Sequence, residues 1–224
     1  MNKLIFLMGI FLILGCSAKD ELFNTRYSGT LELTEHVLGA KVAGRLTTLS
    51  VKEGDSVKAS QVIATLDRYE QTKKDYERTV DLLKTGGANA QTLEYAQLAM
   101  EDQQIIAPVD GVVLVKTAEI GEIIPAGAGI VVVGDTKDQW VKIFLTEGLM
   151  SQVHIGQKAK VSFDGSPRVY EGHVSFISPQ GEFTPRNLQS KEDRITQVFA
   201  VKIALDNPDE HVHPGVAADV KFKR

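Results

Sequence analysis

Two histidines near the C-terminus come closest to a metal-binding pattern. His211 and His213 are separated by one residue, so both side chains would lie on the same face of a strand, and Asp209 and Glu210 precede them. Two imidazoles at this spacing do not complete a zinc coordination set. Because Pro214-Gly215 follows, we interpret His211 and His213 as solvated turn residues and keep a metal site as the alternative.

Other catalytic patterns are missing from the sequence. Gly127-Ala128-Gly129 contains Gly-x-Gly, but an apolar strand pattern follows where a dinucleotide-binding loop requires a helix. Glu192 and Asp193 adjoin Lys191 and Arg194, which is typical of a solvated charged loop. The sequence contains no Gly-x-Ser-x-Gly, Walker-type or His-Glu-x-x-His motif. We therefore predict no catalytic residue, no cofactor and no enzymatic activity.

The composition is that of an ordinary globular protein. The chain has 224 residues, of which 43% are hydrophobic and 24% are charged. This length and composition allow one or two hydrophobic cores. The formal net charge of -4 lacks the basic excess that proteins use to bind the phosphate backbone. We therefore expect no nucleic-acid partner.

Two stretches of the sequence repeat each other at an offset of 67 residues without a gap. The repeat aligns Ala40 with Ala107, Gly44 with Gly111, Gly54 with Gly121 and Ile63 with Ile130. Its four glycines are typical of tight turns that need positive φ, and the alternating apolar residues between them predict short strands. We expect about four short strands in each copy, and the two copies to form a flattened β-sandwich.

Between the copies the apolar period changes from two residues to about three and a half, which predicts helices. The recurring residues are Tyr69, Tyr76 and Leu83 before a break at 85–89, and Leu93, Ala96 and Met100 after it. Glycines in the break would end the first helix, and Asn89 can cap the second. We predict an antiparallel α-hairpin with arms of about 17 residues, or roughly 25 Å.

Strand-like alternation returns after Asp135. Apolar and polar residues alternate in runs at 141–145, 159–163, 174–176, 199–205 and 218–222. Such alternation is typical of strands with one solvent-exposed face, and the spacing of the runs predicts a small antiparallel barrel. Residues 26–38 alternate less cleanly and would supply a further strand.

The N-terminus has the pattern of an export signal. Lys3 precedes an apolar run at 4–14, which is shorter than the ~20 residues of a bilayer span. Ile13-Leu14-Gly15-Cys16 resembles the lipobox of bacterial lipoproteins, which are cut before the cysteine and lipidated on it. We expect a signal peptide at 1–15 and a lipid on Cys16; the alternative is a plain secretory signal. Ser17 leaves the outer membrane open as the site of the anchor, because serine there directs lipoproteins outward in enteric bacteria.

The order of these segments resembles the membrane fusion proteins, the HlyD-like periplasmic adaptors of bacterial efflux and secretion systems. The second copy, which begins Ile106-Ala107-Pro108-Val109-Asp110-Gly111, carries much of the likeness. Phe183-Thr184-Pro185-Arg186-Asn187, Arg194 and Asn207-Pro208-Asp209 are similar to the subgroup that serves ABC-type exporters. Pro214-Gly215-Val216 departs from the Pro-Gly-Met of the family.

The resemblance implies a mainly β fold with an α-helical hairpin. Its parts would be a split lipoyl/biotinyl-like β-sandwich, an antiparallel coiled-coil hairpin and a small antiparallel β-barrel. The expected boundaries are a signal peptide at 1–15, a lipid-anchored linker at 16–25, the barrel at 26–38 and 136–224, the lipoyl-like halves at 39–66 and 105–135, and the hairpin at 67–104.

The function implied by the resemblance is that of an adaptor in the periplasm, anchored to the inner membrane through the lipid on Cys16. Such adaptors form homo-oligomers and join an inner-membrane transporter to an outer-membrane channel of the TolC type. The ABC type of transporter is favoured, and a proton-driven RND pump is the alternative. In many members an Arg, a Leu and a Ser at the hairpin tip contact the channel, and their offsets correspond to Arg78, Leu82 and Asn89.

Two other classes remain as alternatives. A biotinyl or lipoyl carrier domain uses the same pair of halves, but its modified lysine lies on a turn between them, whereas Lys73 and Lys74 fall within the predicted helix. A periplasmic metal-binding lipoprotein would use His211 and His213.

Overall fold

The computed structural model describes residues 21–183, 197–208 and 213–224 of the chain. The first elements are α1 (Glu21–Asn24), β1 (Tyr27–Gly39), β2 (Gly44–Leu49), β3 (Ser56–Val57) and β4 (Val62–Leu66). They are followed by α2 (Tyr69–Lys84), α3 (Ala90–Glu101), β5 (Gln104–Ile106), β6 (Gly111–Lys116), β7 (Ile123–Ile124) and β8 (Gly129–Thr146). The last are α4 (Glu147–Met150), β9 (Lys158–Phe163), β10 (Val169–Phe183), β11 (Gln197–Leu205) and β12 (Ala217–Phe222).

Six strands form a closed antiparallel barrel. Their order is β1-β12-β9-β10-β11-β8, and β8 pairs back with β1. The inward side chains come from alternate positions, as the two-residue period of a strand requires. Among those that are fully buried are Ile143, Val161, Val201, Ile203 and Val220. The small antiparallel barrel predicted from the sequence is confirmed.

The repeat in the sequence is also a repeat in the structure. Strands β2, β3 and β4 recur 67 residues later as β6, β7 and the start of β8. The copies exchange strands, because β3 of the first copy pairs with β6 and β7 of the second copy pairs with β2. Each copy therefore completes its sheets with a strand of the other, and the predicted sandwich of two halves is confirmed.

Reciprocal hydrogen bonds tie the two copies together. The Gly54 amide donates to the Val113 carbonyl at 2.8 Å, and the Gly121 amide donates to the Leu46 carbonyl at 2.7 Å. The donors and the acceptors of these two bonds are related by the same 67-residue offset. The side chains of Leu46 and Val113 are both buried in the core that the copies share.

The four repeat glycines meet two different needs. Gly54 and Gly121 have φ of +88° and +97°, so the prediction of positive φ is right for these two turn residues. It is wrong for Gly44 and Gly111, which lie at the first positions of β2 and β6. At Gly111 a Cβ would lie 2.3 Å from the carbonyl oxygen of Gly134, so close strand approach requires glycine there.

Strands β1 and β8 run through both the barrel and the sandwich. Leu31 on β1 belongs to the barrel core and Leu38, further along the same strand, to the sandwich core. The two strands pair from Gly29 to Gly39, with a register shift after Leu33 where the cores meet. The boundaries expected at 38/39 and 135/136 thus fall inside continuous strands.

Helix α1 belongs to the barrel and not to a linker. The sequence places residues 16–25 in a linker, but Leu22 is fully buried in the barrel core and α1 packs against β12. The linker prediction is therefore wrong for residues 21–24. The cause is the apolar side chain of Leu22, whose burial contributes to the stability of the barrel. Cys16, Ser17 and the predicted signal peptide at 1–15 lie outside the described residues.

Ser60 and Gly127 provide a matched test of the repeat. They are equivalent by the 67-residue offset, have φ of +67° and +83°, and donate equivalent hydrogen bonds to Ala107 and Ala40. Left-handed backbone costs a residue with a side chain ~1–2 kcal/mol. We expect Ser60→Gly to raise the free energy of unfolding by about 0.5–1 kcal/mol and Gly127→Ser to lower it by a similar amount. Urea unfolding measures both, and a less stable Ser60→Gly protein would contradict the equivalence.

Candidate functional site

The helical hairpin projects from the sandwich and is shorter than the sequence suggests. Helix α2 has 16 residues and α3 has 12, or about 24 and 18 Å at 1.5 Å per residue. The prediction of about 17 residues is close for α2 and too long for α3. Neither helix has a fully buried residue. The half-buried residues include all those that recur with the predicted helical spacing: Tyr69, Tyr76, Leu83, Leu93, Ala96 and Met100.

Paired strands fix the base of the hairpin. Strands β4 and β5, which enter and leave it, are antiparallel neighbours, so its two ends are adjacent. The Leu66 amide donates to the Gln103 carbonyl at 2.9 Å, and Asp67 accepts from the Arg45 amide at 3.2 Å. Lys41 and Asp102 form an exposed ion pair at 3.3 Å. These contacts connect the hairpin to the sandwich on both of its arms.

A glycine turn and an asparagine cap shape the hairpin tip. Gly86 has φ of +77°, and the Gly87 amide donates to the Leu82 carbonyl at 2.8 Å, which closes the end of α2. The Asn89 side-chain oxygen accepts from the Thr92 amide at 2.8 Å. The predicted cap is thus confirmed.

The three expected tip residues are all exposed. Arg78 and Leu82 lie one turn apart on α2, so they share a face, and Leu82 is 44% exposed. The Arg78 guanidinium lies 3.3 Å from the Asp75 carboxylate, a pair that is itself open to solvent. Asn89 lies across the turn at the start of α3. The structure leaves Arg78 and Leu82 accessible to a partner.

Sequence reasoning missed a second exposed apolar pair on the hairpin. Tyr95 and Leu98 on α3 are 64% and 46% exposed. They are three residues apart and so share a face, which is opposite the one that Leu93 and Ala96 present to α2. The sequence could have revealed this pair, because Tyr95 and Leu98 do not share the helix face of Leu93, Ala96 and Met100, which were predicted to contact α2.

Asp110 joins the two repeat copies and the segment that enters the barrel. Its carboxylate accepts from the Lys137 ammonium at 2.7 Å and from the Ala59 amide at 2.9 Å. Both hydrogen bonds favour the charged form, and the bond from Lys137 has the larger effect. Together they lower the pKa of Asp110 from 3.8 to about 2.

Neither alternative class gains support from the geometry. Lys73 and Lys74 lie inside α2, and the exposed turn between β4 and that helix consists of Asp67 and Arg68, so it offers no lysine for modification. His213 is exposed, while Asp209, Glu210 and His211 lie outside the described residues. In the described ranges, no group of three or more potential ligands could hold a metal ion.

The Asn89 cap should stabilise the first turn of α3. We expect Asn89→Ala to cost about 1 kcal/mol of local stability, because the Thr92 amide loses its acceptor. Asn89→Asp keeps an acceptor and should behave like the native protein. Hydrogen exchange of the amides at 90–93 measures this, and equal protection in the two variants would contradict the role of the cap.

The lowered pKa of Asp110 predicts a dependence of stability on pH. The charged carboxylate stabilises the fold above its ordinary pKa of 3.8, and this contribution is lost as the pH falls through about 2. The difference in free energy of unfolding between the native protein and Asp110→Asn should be constant above about pH 5 and shrink toward pH 2. Urea unfolding at several pH values measures it. Lys137→Gln should weaken the dependence, and a difference that does not change with pH would exclude the mechanism.

Two protein-family models match the chain. The model described as "RND MFP, barrel-sandwich hybrid domain" matches residues 36–135, and the model described as "CusB-like, beta-barrel domain" matches residues 139–224. The first match contains the sandwich and the hairpin. The second contains α4 and the strands from β9 to β12, together with the end of β8.

Relatives and solved structures agree with these matches. A UPF0194 membrane protein of Enterobacter sp. (strain 638) is 30% identical over 128 residues, or 57% of this chain and 39% of the relative. The chain thus spans 39% of the length of that curated relative. The membrane fusion protein Spr0693 from Streptococcus pneumoniae R6 aligns with a TM-score of 0.60 and 17% identity over 89% of this chain and 98% of that one. The periplasmic adaptor protein EmrA aligns with a TM-score of 0.53 and 15% identity over 90% and 97%.

The fold and the matches lead to one family. At these identities the two solved structures show the fold alone, whereas the family models cover both of its domains. Within the described residues, no helix is long and apolar enough to cross a membrane. The chain belongs to the RND/HlyD-type membrane fusion protein family, with a barrel-sandwich hybrid domain and a CusB-like β-barrel domain.

Proposed function

We propose that this protein is the periplasmic adaptor of a tripartite efflux or secretion system and links an inner-membrane transporter to an outer-membrane channel. The observation that carries the proposal is the helical hairpin inserted between two strand-exchanged halves, with the barrel attached through β1 and β8. This arrangement separates two surfaces, the hairpin tip and the barrel, by the whole sandwich. An adaptor needs two such separate surfaces.

The transporter in this proposal is of the ABC type. The support is the similarity of Phe183-Thr184-Pro185-Arg186-Asn187, Arg194 and Asn207-Pro208-Asp209 to adaptors of that subgroup. Residues 184–196 and Asp209 lie outside the described residues, so this support is one of sequence. An RND pump is the second candidate, because the matching sandwich model is described as an RND membrane fusion protein domain.

The membrane end of the protein would be the end of the barrel that carries α1. Cys16, the proposed lipid attachment site, precedes the buried Leu22 by six residues. A fully extended segment of that length spans at most about 20 Å. A lipid on Cys16 would therefore keep the barrel within that distance of a membrane, for which we propose the periplasmic face of the inner membrane.

The channel contact in this proposal is the hairpin tip with Arg78, Leu82 and Asn89. An exposed ion pair such as Arg78 with Asp75 contributes at most about 1 kcal/mol, so a partner can recruit the guanidinium at little cost. Leu82 would add apolar contact area beside it. A hairpin of about 24 Å has a short reach, so the channel would have to approach the sandwich closely. We also propose that several copies assemble into a ring.

Co-purification from the native membranes tests the proposal. Tagged full-length protein would be crosslinked briefly, extracted in mild detergent and analysed by mass spectrometry. We expect an ATPase-bearing permease and an outer-membrane channel. Recovery of a proton-driven RND pump would exclude the ABC proposal, and recovery of neither transporter nor channel would exclude the adaptor function.

A charge-reversal pair tests the hairpin tip in the same experiment. Arg78→Glu should reduce recovery of the channel at least severalfold while recovery of the transporter stays unchanged, because only the tip is altered. Lys74→Glu is the matched control, since it makes the same change in charge at an exposed position one turn nearer the base of α2. Equal recovery of the channel with both variants would exclude Arg78 as a docking residue.

A further inference from the structure

Three cationic side chains form a row on the outer surface of the barrel. Lys221 on β12 and Lys160 on β9 are directly opposite each other in the antiparallel register. Arg26 immediately precedes β1, whose first residue Tyr27 pairs with Val220, so Arg26 continues the row on the other side of Lys221. All three residues are exposed.

The row is electrostatically unbalanced. Directly opposed side chains on an antiparallel pair have Cβ atoms ~5 Å apart, and like charges in that position are destabilising. Glu171 is opposite Lys160 on β10, but its carboxylate is bound by Lys223. Within the described ranges, Arg26, Lys160 and Lys221 form no ion pair. Positive charge is therefore concentrated in this row, and the Asp219 carboxylate, which lines the same groove, offsets it only in part.

A shallow groove with a volume of about 130 Å³ lies along this row. Its cationic side consists of Arg26, Lys160 and Lys221. Its other side is a neighbouring row across the same sheet, which consists of Asp219 on β12, Ser162 on β9 and Val169 on β10. In this row Asp219 is opposite Ser162, and Ser162 is opposite Val169. Asp219 accepts a hydrogen bond from the Ser28 hydroxyl at 2.7 Å, and Val169 is 55% exposed. The groove thus has three cationic side chains on one side, and one carboxylate and an exposed apolar side chain on the other.

We propose that this groove binds the phosphate headgroup of an anionic phospholipid. Lysine and arginine side chains neutralise phosphate, and each basic residue near a membrane surface strengthens binding to anionic lipid. Arg26 follows α1 by two residues, and α1 is at the barrel end to which the proposed lipid anchor leads. The inference thus rests on the anchored position given under the proposed function. It adds a headgroup contact that would orient the barrel on the membrane.

The size of the groove favours a headgroup over a protein partner. Neighbouring strands are ~4.8 Å apart, so a row across three strands is about 10 Å long. That length accommodates one phosphate group and its substituents. A specific protein interface typically buries more than about 1,000 Å². The groove is too small to provide an interface of that area. We therefore favour a lipid headgroup, and the experiment below also detects an acidic protein partner.

Lipid binding by the full-length protein tests the inference. Detergent-purified protein would be titrated with phosphatidylglycerol, with phosphatidylcholine and with inorganic phosphate, and bound molecules counted by native mass spectrometry. We expect phosphatidylglycerol to bind in preference to phosphatidylcholine. Lys160→Gln with Lys221→Gln should weaken phosphatidylglycerol binding by on the order of 10-fold or more. The control Lys52→Gln with Lys74→Gln removes the same charge from exposed positions on the sandwich and hairpin and should bind like the native protein.

Each other outcome would overturn the inference. Equal phosphatidylglycerol binding by the two double variants would place any lipid site elsewhere. Full competition by inorganic phosphate would identify a free-anion site, and loss of a co-purifying acidic protein instead of lipid would identify a protein surface. The proposed function is judged separately by recovery of transporter and channel, so either proposal can fail without the other. Unchanged urea unfolding of the variants ensures that a loss of binding is local.

Discussion

The exchange of short strands between the two repeat copies is the constraint on which the rest of the structure depends. Strand β2 of the first copy needs β7 of the second as a partner, and β6 of the second copy needs β3 of the first. Each copy also donates a hydrogen bond to the other, through the Gly54 and Gly121 amides. The sandwich core therefore forms only when residues on both sides of the hairpin have come together. This explains how 38 residues can be inserted between Leu66 and Ile105 without dividing the core.

The pairing of β1 with β8 extends that constraint into the barrel. The two strands contribute side chains to both cores, and their pairing also closes the six-stranded ring. A movement of the barrel must bend or shift these strands, because paired backbone and not a loop connects the two cores. In a membrane fusion protein this gives a direct mechanical connection between the barrel and the base of the hairpin.

The surfaces available for function lie at the two ends of this connected framework. The hairpin is held at its base and exposes Arg78, Leu82, Tyr95 and Leu98 along its arms. The barrel presents a cationic row assembled from strands that are distant in sequence. Both are contact surfaces and neither is an enclosed pocket, as the proposed adaptor function requires.

The sequence by itself determined the repeat, the helical insertion and the barrel strands, because the 67-residue offset and the change of apolar period are local patterns. It also located the Asn89 cap, which depends on residues three positions apart. Only the tertiary structure decided which strands pair, and therefore why Gly111 must be glycine and why Leu22 belongs to the barrel. The row of Arg26, Lys221 and Lys160 could not be predicted for the same reason. Cross-strand register joins residues far apart in the chain, and no local pattern encodes it.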